Sequence, residues 1–176
     1  PAGGVLELLV ALLERGRQHL VKLAGTLGVS LRQNYNREAP RLAAQVGRYA
    51  HAKQFRRMKA SLKSLRTLVG RVWRDIDRKL DQQDDVQRAK AASILARVKR
   101  LLEQQPKDKN KLYSLHAPEV ECISKGKARQ SYEFGVKVSV TTTLKEGFVL
   151  GVCAMPGNPY DGHTLVPALA QVLPAM

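Results

Sequence analysis

Residues 131–165 read SYEFGVKVSVTTTLKEGFVLGVCAMPGNPYDGHTL. Tyr132, Phe134, Val136, Val138 and Val140 alternate with Glu133, Gly135, Lys137, Ser139 and Thr141, the period of two of a half-buried strand. The run Phe148 to Met155 is apolar on both alternating faces, which predicts a central strand covered on both sides. Between them, Leu144-Lys145-Glu146-Gly147 is short enough to turn a hairpin, with Gly147 able to take a positive φ. The second strand delivers the chain to PGNPYD, residues 156–161, and so to a carboxylate, Asp161, just past the end of a rigid element.

Upstream of this stretch the chain changes character. Residues 1–111 hold 25 Lys or Arg against 10 Asp or Glu, whereas residues 112–176 hold 5 against 5, so the whole net charge of +15 lies in the first part. The natural partner of such an excess is a polyanion. A hydrophobic fraction of 44% is that of an ordinary globular protein. Val5 to Leu13 is too short for a membrane span and lacks the basic start of a signal peptide. Cys122 and Cys153 stand far apart with no CxxC spacing, which argues against a disulfide framework or zinc knuckle and makes a reducing, cytoplasmic setting the default. The first residue is Pro rather than Met, which hints at a fragment or a processed product.

Leu9, Leu12, Leu13, Leu20, Leu23 and Leu27 predict a helix over residues 5–27, with Gly25 and Gly28 marking its end. The piece LAGTLGVSLRQNYNR, 23–37, then admits two readings: a helix-turn-helix, or simply two amphipathic helices joined at Gly28, with Pro40 interrupting whatever helix follows. Phe55, Met58, Leu62, Leu65, Val69, Val72 and Ile76 form a heptad seam, predicting one helix from Arg48 to Lys79, roughly 50 Å long. A helix of that length needs a partner. Val86, Ile94, Leu95, Val98, Leu101 and Leu102 supply a second apolar face after the acidic reversal at 81–85, so an antiparallel helical hairpin is expected, with coiled-coil pairing between copies, a possible homo-oligomer, as the alternative.

The outside of the long helix carries Arg48, Lys53, Arg56, Arg57, Lys59, Lys63, Arg66, Arg71, Arg74, Arg78 and Lys79 against only Asp75 and Asp77. Like charges this dense repel, by a few tenths of a kcal/mol per i,i+4 pair. A face serving solubility alone would intersperse acids, so a phosphate-binding face is the favoured reading, and Arg48, Lys53, Arg56, Arg57, Lys59, Lys63 and Arg66 are its leading candidates. The turn Lys125-Gly126-Lys127-Ala128-Arg129 lacks a phosphate-loop pattern, but Lys125, Lys127 and Arg129 add three candidate contacts to a polyanion.

None of His19, His51, His116 and His163 has a metal-ligand spacing. Asp161 could cap the helix expected over 164–172, but Pro167 would then fall inside it; Thr164 as cap puts the proline in the first turn and leaves the carboxylate free. One acid alone cannot hold magnesium, which needs further oxygen ligands. The expected fold is therefore α/β, with residues 1–111 a basic helical region and residues 112–176, including short strands at 112–115 and 120–123, carrying the hairpin and a helix.

The runs KLYSLHAPEVECI (111–123), GKARQSYEFGVKVSV (126–140) and PGNPYDGHTL (156–165), with LRQNYNREAP (31–40) and RYAHAKQFRRMKASLKSLRTLVGRVWRDI (48–76), resemble the DDE transposases of bacterial insertion sequences, in the group whose catalytic domain is interrupted by a basic helical region. The resemblance spans about Leu13 to Leu169. It implies part of a ribonuclease H-like core, double-stranded DNA at element ends as partner, no small-molecule substrate and no membrane, and a bacterial, nucleoid-associated location. It also implies two Mg²⁺ ions held by two Asp and one Glu for attack on a phosphodiester. Asp161 matches the second acid and is thereby the candidate catalytic and metal-binding residue. The first acid, expected in an Asp-Thr-Thr or Asp-Ala-Thr motif ahead of the helices, has no match, and the third would fall beyond Met176. The expectation is thus a truncated transposase fragment, inactive alone and of marginal stability; the rival is a non-enzymatic nucleic-acid-binding helical protein.

Overall fold

The computed structural model describes residues 3–105, 107–124 and 132–172 and is a mixed helix-and-sheet protein. It comprises two compact units, 1–116 and 117–176.

The first unit is helical: α1 (Gly3–Thr26), α2 (Glu38–His51), α3 (Phe55–Asp77) and α4 (Asp85–Glu103), with one 3₁₀ turn at Leu80–Gln82. Helix α3 packs against the other three. The heptad seam explains this, since Met58, Leu65, Val69, Val72 and Ile76 are all buried, joined by Leu13 and Leu20 of α1, Val46 of α2 and Val98 and Leu101 of α4. The seam is thus filled within the chain, apart from Phe55, which is exposed. As expected, α3 and α4 form a hairpin. Asp84 caps α4 by accepting from the Gln87 N–H at 2.7 Å, and Trp73 Nε1 of α3 donates to the Leu95 carbonyl of α4 at 2.9 Å.

Three expectations for the helices of this unit fail. The long helix from Arg48 to Lys79 is broken at 52–54, because Lys53 takes a left-handed φ of 56° and the Gln54 N–H turns back to Tyr49 O (2.8 Å) while the Lys53 N–H reaches Ala50 O (3.0 Å). This is a Schellman stop, which folds α2 back onto α3. The same motif ends α1, with Gly28 at φ 66° and the Val29 N–H bonded to Ala24 O at 2.8 Å. Pro40, expected to interrupt a helix, instead lies in the first turn of α2, where its missing N–H costs nothing. Of the two readings of 23–37, neither a recognition helix nor an immediate second helix follows Gly28: residues 29–37 are irregular and α2 begins at Glu38.

Residues 112–115 are not a strand. Leu112 and Leu115 are buried in the helical core, and Arg97 holds the segment by donating to Leu115 O at 2.7 Å.

The second unit contains two antiparallel ribbons. β1 (Glu121–Ser124) pairs with β2 (Tyr132–Gly135), and β3 (Lys137–Thr142) pairs with β4 (Val149–Met155). The single strand expected over 132–141 divides at Val136, directly after Gly135, the residue least able to sustain a strand. The β3–β4 turn forms as expected: Gly147 has φ 71°, and Thr143 and Phe148 exchange hydrogen bonds of 2.9 and 3.0 Å. Helix α5 (Leu165–Val172) covers one face of this ribbon. Val172 lies close enough to β4 that a Cβ on Gly151 would stand 3.0 Å from its Cγ2, and Gln171 Nε2 donates to Val152 O at 3.1 Å.

The covered face is the opposite of the one the apolar pattern indicates. Met155, Cys153, Ser139 and Thr141 turn inward, whereas Val138, Val140, Leu150 and Val152 are exposed. β4 is consequently not a central strand: among the described residues it pairs only with β3 and is covered on one face. Gly151 leaves room on this face for the Val172 and Gln171 side chains of α5.

Candidate nucleic-acid interface

The break at Lys53 brings the cations expected on one long helix onto two shorter ones. Arg48 lies in the last turn of α2, Lys53 in the turn, and Arg56, Arg57, Lys59 and Lys63 in the first half of α3. All six are exposed. Arg56, Lys59 and Lys63, at i, i+3 and i+7, share one face of α3. Among the described residues none of the six is in a salt bridge, and Arg57 alone has a side-chain bond, to Gln54 Oε1 at 3.1 Å. An array of cations left without internal counter-charge is one whose counterions an incoming polyanion can displace.

Arg66, expected on the same outward face, is half-buried instead. Its Nη2 donates to Gln104 O at 2.8 Å at the end of α4, where the carbonyls left over by the helix favour a cation. Its Nε is buried with no partner, and burial lowers the pKa of the guanidinium from its ordinary value. Arg66 thus ties α3 to α4. Lys125, Lys127 and Arg129 lie outside the described residues.

A second basic feature follows along α3. Arg71, Arg74 and Arg78 line a cleft of about 560 Å³ whose other wall is the 30–38 loop, with Arg32, Gln33, Tyr35 and Glu38. The sequence shows Arg71, Arg74 and Arg78 in the basic run, but Arg32 and Tyr35 only join them through tertiary folding, and no local signal places them there. The loop is anchored from below by two buried charges. Arg17 of α1 donates to Asn34 O and to Asn36 Oδ1, both at 2.7 Å, while its other nitrogens bind Glu14. Asp75 of α3 accepts the Arg32 backbone N–H at 2.8 Å and pairs with Lys79 Nζ at 3.0 Å. Burial alone would raise the Asp75 pKa, but the Arg32 N–H and the Lys79 ammonium outweigh it and hold the carboxyl below its ordinary value.

Asp161 lies in the second unit, beyond the end of β4, as expected. The turn that carries it uses left-handed Gly157 and Asn158, and the Gly157 N–H donates to Glu121 Oε1 at 2.7 Å. The carboxylate is not free, contrary to the expectation. Lys137 Nζ of β3 bonds Asp161 Oδ1 at 2.8 Å and also the Pro159 carbonyl, while the Asp161 side chain is 88% exposed. Helix α5 begins after Thr164, whose hydroxyl donates to Asp161 O at 2.7 Å, so Pro167 falls in the first turn. Among the described residues no three His, Cys, Asp or Glu side chains gather closely enough to hold a metal ion. Among the described residues, the cation paired with Asp161 is the Lys137 ammonium.

Also among the described residues, no helix is long and apolar enough to cross a membrane. No protein-family model, no curated protein and no solved structure matches the chain.

Proposed function

We propose that this chain belongs to a DDE transposase of a bacterial insertion sequence, comprising its basic helical region and part of its ribonuclease H-like core, and that its own task is to bind the double-stranded DNA of element ends. The observation that carries the DNA-binding half of this reading is the set of exposed cations, Arg48, Lys53, Arg56, Arg57, Lys59 and Lys63, without acidic partners among the described residues. The motif around Asp161, on a turn after a hairpin strand, supports the transposase half. In that role Asp161 would be one ligand of a Mg²⁺ site whose other acids this stretch of residues does not bring together. The Lys137 pairing favours a second reading for the isolated chain, a nucleic-acid-binding helical protein without phosphoryl-transfer chemistry of its own.

DNA binding is measured by fluorescence anisotropy with a labelled duplex over a range of salt concentrations. Log affinity is expected to fall linearly with log salt, with a slope of about −0.9 per phosphate neutralised. Neutralising Arg56, Arg57 and Lys63 to glutamine should weaken binding and flatten that slope, and Asp161→Ala should leave both unchanged. A salt-independent affinity would refute the DNA-binding reading. On supercoiled plasmid with Mg²⁺ the chain is expected to make no nicks; nicking lost in Asp161→Ala would overturn the claim that it has no chemistry alone.

A further inference from the structure

The cleft between the 30–38 loop and the C-terminal half of α3 holds more positive charge than its own acids answer. Arg71, Arg74 and Arg78, at i, i+3 and i+7, line it from one face of α3, and Arg32 lines it from the loop. Two acids line it as well, but Asp75 is already engaged by the Arg32 N–H and by Lys79. Among the described residues none of the four guanidinium groups is in a salt bridge. Arg78 directs its Nε back to Arg74 O at 3.0 Å, which leaves its terminal nitrogens for another acceptor. Gly70 gives the Arg74 guanidinium room to lie along the helix, since a Cβ there would stand 3.2 Å from Arg74 Nη1.

The loop wall is held in place before any ligand arrives. Arg17, only 3% exposed, fixes Asn34 and Asn36 from beneath, and Asp75 fixes Arg32. Between these anchors Tyr35 is kept at φ 54°, a left-handed conformation that is unfavourable for a non-glycine residue. Strain maintained by its surroundings in this way is characteristic of binding segments.

The space of about 560 Å³ is ample for more than a phosphate group alone. Guanidinium forks match pairs of phosphate oxygens, and an aromatic ring beside them offers a surface for a sugar or base. We propose that this cleft takes one phosphodiester of a nucleic-acid strand, its phosphate on Arg32, Arg71, Arg74 and Arg78 and its nucleoside against Tyr35. The inference rests on the DNA-binding reading given above and adds to the Arg48–Lys63 surface a contact on the far half of α3.

The test uses the full 176-residue chain and anisotropy with labelled duplex and single-stranded DNA at several salt concentrations. Arg71→Gln with Arg78→Gln is expected to lower affinity at least tenfold and to reduce the salt slope by about 0.7–0.9, the contribution of one phosphate. Arg71→Lys with Arg78→Lys keeps the charge but loses the forks, and is expected to retain the slope while weakening binding severalfold; this pair carries the test if the glutamine pair fails to fold. Tyr35→Leu should weaken single-stranded binding with the slope intact. If the Arg71 and Arg78 variants bind within twofold of the parent while Arg56→Gln with Arg57→Gln loses both affinity and slope, the cleft inference is overturned and the DNA reading stands. If the parent chain shows no salt-dependent DNA binding, both fall. Inorganic pyrophosphate is the competing probe: displacement of DNA by millimolar pyrophosphate supports the cleft, whereas pyrophosphate binding that raises the melting temperature without displacing DNA would assign it to a free phosphate and overturn the proposal.

Discussion

Replacing Asp75 tests how the 30–38 loop is held to α3. In the folded chain its side chain is 11% exposed, accepts the Arg32 N–H at 2.8 Å and pairs with Lys79 at 3.0 Å. A hydrogen bond to a charged acceptor contributes about 1.5–3 kcal/mol. The Lys79 pair adds less, about 0.3–1 kcal/mol, because the lysine is about a third exposed. Asp75→Ala should therefore destabilise the helical unit by about 2–3 kcal/mol, and Asp75→Asn, which keeps an acceptor for the Arg32 N–H, by roughly half as much. At about 2–4 °C per kcal/mol the alanine variant should melt about 5–10 °C lower. Trp73, the sole tryptophan, reports this unit by fluorescence.

The pH dependence of that difference has a fixed sign. The folded carboxyl is held below its ordinary value, so its contribution is complete above the ordinary carboxylate range, about pH 4–5, and is lost as the pH falls through the lowered folded value. The margin of the parent over Asp75→Asn should accordingly be constant near neutrality and shrink in acid. A margin that grows as the pH falls, or an alanine variant melting within about 1 °C of the parent, would refute the assignment of Asp75 as the loop's anchor.

Two further substitutions probe the helix junctions. A methyl group on Gly16 would meet Val98 Cγ2 at 3.5 Å and Leu101 and Leu115 at 3.8 Å, ordinary contact distances, so Gly16→Ala should stabilise the helical unit by about 1 kcal/mol in urea titration followed at Trp73. Lys53→Gly relieves a left-handed lysine at the end of α2 and should also stabilise by about 1 kcal/mol, while the loss of one cation lowers the salt slope of DNA binding; a destabilised glycine variant would show that the Lys53 backbone is not strained.

Most of the helical unit is legible in the sequence because its apolar residues repeat with a helical period and Gly28 and Asp84 mark two of its boundaries. Lys53 carried no such mark. A left-handed lysine is set by the burial that α2 gains in folding back on α3, which local pattern does not encode. The strand pattern locates the β3–β4 hairpin and its Gly147 turn, but apolar alternation points to the face of β3 that the structure leaves exposed. Helix α5 settles on the side of Gly151, Cys153 and Met155, where the absent Cβ of Gly151 makes room for Val172 and Gln171. At the candidate sites, exposed cations were readable one by one. The half-burial of Arg66, the pairing of Lys137 with Asp161 across 24 residues, and the meeting of Arg32 and Tyr35 with α3 were not, since each depends on long-range contact.

The apolar face of the β3–β4 ribbon, with Val138, Val140, Leu150 and Val152 turned to solvent, bears on what a melting experiment means here. Two-stranded ribbons are marginal on their own, and one helix covers this one. The ribbon amides should exchange with deuterium well before those of α3, and calorimetry should register heat that Trp73 fluorescence does not see. A single unfolding free energy would then describe the helical unit and not the chain, whose second unit is expected to unfold separately.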